Sequence, residues 1–469
     1  MRSLKSSYIL ERILLNHQAI SALSQKFKGS PETKFFILKF LTACPDGSGR
    51  LYDLSQFSRY LGFTKPVVTR CLTELIELGW LVEERQHAGQ RPFQMLASSS
   101  ALQKRLLQNP GAKVLHHHQH IEQLLRWGEE SLQERQHQLT INKRLVLMLL
   151  LAHADEFGIV RGLSATEISQ CTGLKVSQVR NSIKLLTRHH YIAFSVPGGN
   201  FPRSMGKTTS THVLNLRHSS FGHELLPGFT CLVSFHGSYG YSRHEAAKLC
   251  SALAHLRDQT RRAGTPERLP AKVQENPFYP FIEHGGLKIT SRFESRMQWE
   301  LQDIASIALN DVKIQKSTLP RTEVLIRRRL FREGMKDSTL SKEKQTQILR
   351  PVLEELSKSV GQIVARTRRI LSQLPIESVE EASIQILPKQ RFDRSNATSS
   401  IEVINNGQSS VDHQVLVSVV DFESLTIRKT EKAAPLNDLP VETLEGYSLG
   451  TPPIERPKLR TPPPLQKPK

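Results

Sequence analysis

Cysteine is scarce and unpaired: the 469 residues hold five, Cys44, Cys71, Cys171, Cys231 and Cys250, and none forms a C-x-x-C pair. An odd, widely spaced set is neither a disulfide framework nor a zinc ribbon, and it suits a reducing compartment. Cys71 and Cys171 fall inside helical patterns and read as small core residues. Long apolar runs are missing too. The longest, residues 145–152, has eight residues, far short of the ~20 that a membrane-spanning helix needs. Residues 1–30 lack the apolar stretch and cleavage site of a signal peptide and read as an amphipathic helix built on Leu4, Ile9, Ile13 and Leu14. These absences predict a soluble, cytoplasmic chain with no membrane contact.

Enzymatic signatures are equally absent. Gly206, Lys207 and Thr208 look like the end of a phosphate-binding loop, but Phe201 stands where that loop needs its first glycine. There is no G-x-S-x-G and no H-E-x-x-H. His116, His117, His118 and His120 cluster without a cysteine or carboxylate at ligand spacing, and read as a solvated segment. Gln119 occupies the place where a His-hydrophobic-His nicking motif has an apolar residue. The chain is therefore expected to be no enzyme, with no catalytic residue, metal or cofactor.

What the chain does have is positive charge. Its net charge is +20, and residues 1–220 carry 28 basic against 15 acidic side chains. Such an excess suits a polyanionic partner, because neutralised phosphates release counterions. Basic proteins of other classes exist, so its location matters more than its size. It falls mainly on a segment with an internal repeat.

The repeat runs 111 positions apart: Gly62 and Phe63 align with Gly173 and Leu174, and Leu72, Leu75, Trp80 and Leu81 with Ile183, Leu186, Tyr191 and Ile192. In the second copy, residues 141–153 read as an apolar helix and Gly158, Ile159 and Val160 as a short strand. Ser164 and Glu167 form a capping box, opening a helix with Ile168 inward. Gly173 supplies a turn that needs positive φ. A further helix over 175–189 places Val179, Ile183 and Leu186 on one face. Its other face carries Lys175, Ser177, Gln178, Arg180, Asn181 and Lys184, side chains that reach base edges and phosphates. Residues 191–196 and 211–216 read as strands joined by a Gly-rich, basic tip over 197–209, with Arg203 and Lys207 as contacts to a phosphate or minor groove.

The first copy repeats the plan. Residues 34–41 read as its first helix, Leu51 and Tyr52 as a strand, and Asp53 as the cap of a helix reaching Tyr60. Residues 64–78 read as the outer helix, with Thr64, Lys65, Val67, Thr69 and Arg70 outward and Leu72, Leu75 and Leu78 inward. Residues 80–84 and 93–96 read as strands, with Arg85 and Arg91 on the tip between them. Pro66 and Val67 make this outer face the less polar. That suggests a dimerisation or auxiliary module here and sequence reading in the second copy.

Over residues 31–97 and 140–217 the chain resembles the winged helix-turn-helix superfamily, and the tandem layout is similar to bacterial regulators and plasmid or phage replication initiators. The resemblance implies a helix placed in the major groove of duplex DNA. Winged helices also serve as protein-contact modules without groove contact, and that alternative stays open.

Beyond the repeat, residues 98–139 read as a helical linker broken at Asn109, Pro110 and Gly111. Residues 225–384 read as a helical domain with helices near 242–256, 293–312 and 341–374. In the last, Leu353, Leu356, Val360, Ile363, Thr367, Ile370 and Leu374 keep an alternating three-four spacing. That is a coiled-coil seam for a homodimer, or the inner face of an ordinary packed helix. The clusters Arg327, Arg328, Arg329 and Arg366, Arg368, Arg369 read as solvated faces or phosphate contacts. Residues 385–469 lose periodicity, end Pro-rich and basic, and are expected to be disordered, with one strand or docking segment near 411–420.

The fold expectation is thus mainly α with small β-wings: an N-terminal helix (1–30), a winged helix (31–97), a linker (98–139), a second winged helix (140–220), a helical domain (225–384) and a tail (385–469). The functional expectation is a sequence-specific double-stranded DNA-binding protein of the nucleoid, first a transcriptional regulator. A replication initiator recruiting replication machinery, or a chromosome-partitioning factor using its winged helices for protein contacts, are the alternatives.

Overall fold

The computed structural model describes residues 29–43, 48–49, 54–55, 58, 62–79, 81–83, 93–95, 116–126, 139–201, 205–216, 218–221, 230–234, 245–263, 268, 270–276, 278–280, 290–310, 318–331, 341–371, 383–387, 399–405, 414–421 and 426–432. The described part is mainly helical with small, mostly antiparallel sheets. None of its helices is long and apolar enough to cross a membrane. Of the helix expected over 1–30, residues 1–28 lie outside the described residues, and Gly29 and Ser30 are not helical.

One arrangement occurs twice. In the first copy helix α1 (Pro31–Ala43) precedes strand β1 (Ser48–Gly49), helix α2 (Lys65–Glu77) and strands β2 (Leu81–Glu83) and β3 (Phe93–Met95). Between the copies lies α3 (His118–Arg126). In the second copy α4 (Ile141–His153) precedes β4 (Ile159–Val160), α5 (Ala165–Thr172) and α6 (Val176–Arg188). The chain returns through β5 (Ile192–Val196), a ribbon of β6 (Gly199–Phe201) and β7 (Gly206–Thr208), and β8 (Thr211–Leu214). Both sheets are antiparallel with the last strand in the middle, β1-β3-β2 and β4-β8-β5.

The 111-residue offset holds at the level of single groups. Gly62 and Gly173 both take positive φ, 67° and 76°, as do Gly79 at 69° and His190 at 62°. The Ser58 hydroxyl donates to the Phe63 carbonyl, and the Ser169 hydroxyl to the Leu174 carbonyl. After α2 the Leu78 and Gly79 N–H groups reach Glu74 and Ile76, and after α6 those of His189 and His190 reach Leu185 and Thr187. The first copy's strand forms at 48–49, while the residues expected to make it, Leu51 and Tyr52, lie outside the described ones.

The capping box expected at α5 is present: Ser164 Oγ accepts from the Glu167 N–H at 3.1 Å, and Glu167 Oε2 accepts from the Ser164 N–H at 2.6 Å. Those bonds from Ser164 hold the Glu167 carboxyl below the usual carboxylate range. Ser164→Ala is expected to cost about 1 kcal/mol, measured as a shift in the urea midpoint.

The two copies share one core. Every residue of α4 from Arg144 to Ala152 is buried, as expected of a helix covered on all sides rather than along one stripe. Phe35, Phe36, Ile37 and Leu38 of α1 belong to the same cluster as α4, α5 and α6. Lys34 reaches across, its Nζ donating to the Cys171 carbonyl at 3.0 Å, and burial pushes its pKa down.

The linker histidines correct an expectation. His117 and His120 are not solvated but 0 % exposed. Their Nε2 atoms lie 2.6 Å from the Asp155 carbonyl and 3.0 Å from the Leu216 carbonyl. Burial, foremost, pushes their pKa values down to about 3 and about 4. The reason is amphipathicity: Ile121, Leu124 and Leu125 bury the same side of α3 against the second copy. The described residues hold no group of three or more metal-ligating side chains.

Residues 225–384 are not purely helical. They hold β9 (Thr230–Ser234), α7 (Glu245–Ala263), the short α8 (Ala271–Gln274), α9 (Ser291–Asn310), α10 (Thr318–Leu330) and α11 (Lys342–Leu371). Strand β10 (Ser383–Leu387) pairs parallel with β9. Three more strands follow, β11 (Ser399–Asn405), β12 (Gln414–Asp421) and β13 (Thr426–Lys432), giving the order β10-β9-β11-β12-β13. Part of the segment expected to be disordered thus pairs into a sheet. Alternating β-branched residues at 401, 403, 415, 417 and 419 favour this. Asn310 bonds the Ile384 carbonyl and N–H at 2.8 and 2.7 Å, and Ser306 takes the Ile386 N–H at 2.8 Å, so α9 satisfies the outer edge of β10.

The α11 seam is filled within the chain. Leu356, Val360 and Ile363 are buried in one cluster with Leu301 and Ile304 of α9 and Ile326 of α10. This is the packed-helix alternative, and it leaves those residues unavailable for an interchain coiled coil.

Candidate nucleic-acid interface

The surface that collects the expected contact residues is the outer side of α6. Its inner side is fixed by Val179, Ser182 and Leu186, all buried at helical spacing. Its start is fixed by the turn: Thr172 Oγ1 donates to the Ile168 carbonyl at 2.7 Å and accepts from the Leu174 N–H at 3.3 Å, while Gly173 takes the left-handed conformation. Lys175, Ser177, Gln178, Arg180, Asn181 and Lys184 are consequently turned away from the core, and all six are exposed. Gln178 has a local duty as well, its Oε1 accepting the Lys175 N–H at 2.9 Å. That leaves its amide donors outward.

On α2, Thr64, Lys65, Thr69 and Arg70 are exposed as expected. The Thr69 hydroxyl turns back onto the Lys65 carbonyl at 3.0 Å, and Thr73 does the same to Thr69. Two expectations are corrected. Val67 is half-buried against the core rather than outward, and Leu78 is 41 % exposed rather than inward. Val68, Cys71, Leu72 and Leu75 already complete the buried stripe, and the helix ends at Glu77, so Leu78 lies in the turn before Gly79. Arg85, Arg91 and Arg203 lie outside the described residues.

The ribbon after β5 departs most from expectation. Lys207 is exposed, but Phe201 and Met205 are buried in the cluster formed by α7, α9, α10 and α11. Phe201 meets Phe293 edge-on at 5.9 Å. The apolar pair within a basic, Gly-rich tip was the signal for a docked ribbon.

Helix α9 also covers the second face of the β4-β8-β5 sheet. Trp299, 1 % exposed, packs on Ile159, Phe194, Val196 and Val213. Beside it Asp303 bridges Arg161, from the loop after β4, and Arg329 of α10. Burial alone would raise the Asp303 carboxyl, but the two guanidinium groups hold it below the usual carboxylate range. Arg161 also pairs with Asp155 and lies 5.7 Å from the Trp299 ring centroid. Arg296 pairs with Glu300 at 2.7 Å and donates to Thr209 O and Thr211 Oγ1.

No protein-family model, curated protein or solved structure matches the chain.

Proposed function

We propose that this chain is a sequence-specific double-stranded DNA-binding protein, a transcriptional regulator built on two tandem winged helices. The strand order with the last strand central, the helix-turn-helix of α5 and α6, and the repeat of that plan at fixed offset support the winged-helix reading. The observation that carries the functional reading is the outer face of α6. It presents three cations, two amides and a hydroxyl, and no ion pair among the described residues occupies Lys175, Arg180 or Lys184. Arginine and asparagine at successive positions suit guanine and adenine edges, respectively.

The tandem pair, joined through one core, also favours a second reading, a replication initiator binding origin repeats. The two differ in where the selected site occurs: singly at a promoter, or as a directly repeated array beside an AT-rich tract.

Arg180→Ala with Asn181→Ala is expected to weaken binding to the selected site by about 1–3 kcal/mol for each base no longer addressed, while leaving non-specific binding largely in place. Both side chains are exposed, so folding is retained. Unchanged affinity and unchanged sequence preference in a fluorescence titration would remove α6 from the reading role.

A further inference from the structure

The junction between the two copies bears on how much DNA one chain covers. Glu74 of α2 accepts from the Ser30 N–H at 2.6 Å and the Ser30 hydroxyl at 2.8 Å, and also from Thr33. The neighbouring Gly29 carbonyl lies 3.5 Å from where a Cβ on Gly173 would sit, and Lys34 Nζ lies 3.7 Å from the same point. Gly173 is the turn into α6, two residues before Lys175. The third turn of α2 is therefore tied to the N-terminus of α6 through two residues of chain. Counting about 3.8 Å per chain step and one contact at each end, the two lie no more than roughly 20 Å apart. Reading helices in paired half-sites stand about 34 Å apart instead.

Exposed cations flank this seam. Arg70 stands one helical turn before Glu74, on the same stripe of α2, and Lys175 opens α6 across the seam; both are exposed. Of the acidic groups there, Glu74 is turned inward onto Ser30 and Thr33, and Glu32, which also acts on Cys71, is half-buried. Lys34 lies beneath.

We propose that this seam holds a backbone phosphate of the duplex that α6 reads, so that α2 and α6 share one uninterrupted footprint. The inference rests on the reading of α6 given above. Here α2 supplies phosphate contacts through Lys65 and Arg70, flanking the bases addressed by Arg180 and Asn181. Its threonine hydroxyls, turned onto its own backbone, fit a positioning rather than a base-reading role.

Two measurements on the full chain test it. Hydroxyl-radical footprinting on the selected duplex is expected to give a single continuous protected block on each strand. Lys65→Ala with Arg70→Ala should weaken binding to all sequences alike, by about tenfold, and lower the slope of log affinity against log salt by about two, one for each phosphate no longer neutralised. Two protected blocks one helical turn apart, or a double variant with unchanged slope, would overturn the shared footprint while leaving the α6 reading intact. A full chain that selects no sequence at all would overturn both.

Discussion

Lowering the pH from 7.5 to 5 is expected to remove about 6 kcal/mol of folding stability, roughly 2 kcal/mol from each of three buried imidazoles. His117, His120 and His212 are pushed by burial to about 3, about 4 and about 4, from an ordinary value near 6.5. The sign follows from which state takes up protons. Between pH 6.5 and 4 the unfolded chain protonates these rings and the folded chain does not, so acid favours unfolding. The contribution is complete above pH 6.5 and declines as the pH falls toward the folded-state values. Against a typical net stability of about 5–15 kcal/mol, this is enough to unfold a marginal domain. Urea denaturation at the two pH values measures it. His117→Gln with His120→Gln should recover roughly two thirds of the difference, since glutamine does not titrate. A urea midpoint that stays level from pH 7.5 to 5 would contradict the buried neutral pair.

The second large effect concerns Trp299. Its indole is almost fully enclosed between α9 and the second face of the β4-β8-β5 sheet. Trp299→Ala is expected to cost about 3–5 kcal/mol, from the burial forfeited and the cavity left behind. The break has a particular place. Among the described residues, ties that remain between the second copy and the helical region include Phe201 and Met205 in the cluster around α9, the Arg161–Asp303 pair and the Arg296 bonds to Thr209 and Thr211. Removing Trp299 should therefore split one unfolding transition into two, with the helical region melting first. A cost below about 1 kcal/mol with a single transition would mean that the sheet face is not supported by this residue.

The second copy was legible in the sequence because local rules and tertiary packing agree there. The Ser164–Glu167 box, the positive φ of Gly173 and the inner stripe of α6 are all set by neighbours a few residues apart. The helical region was less legible, since α9 is buried nearly all round from Met297 to Ser306, with Gln298, Glu300, Gln302 and Asp303 inside. A periodicity argument places such polar residues outward. What admits Asp303 is Arg161, 142 positions away in the chain, and Arg329, which no local pattern reveals.

One clue to the covered sheet lay in the comparison of the copies. Ile159 and Phe194 of the second copy correspond at the 111-residue offset to Ser48 and Glu83 of the first, and Val213, the partner of Ile159, corresponds through strand register to Gln94. Apolar residues on the covered face of the second copy's sheet, at positions where the first copy's sequence is polar, are the sequence mark of that cover. The ribbon gave a similar hint in Phe201 and Met205, masked by the basic residues around them. Its docking onto the helical region buries Phe201 and Met205 and leaves Lys207 exposed.

Base reading by the outer face of α6 is put to its sharpest test by selection of the intact chain against a random duplex pool at physiological salt, repeated with Arg180→Ala and Asn181→Ala together. The intact chain should enrich a defined motif, and the variant should lose preference at adjacent base pairs within it. A pool that stays random after selection, or the same motif from both proteins, would contradict a reading role for this helix.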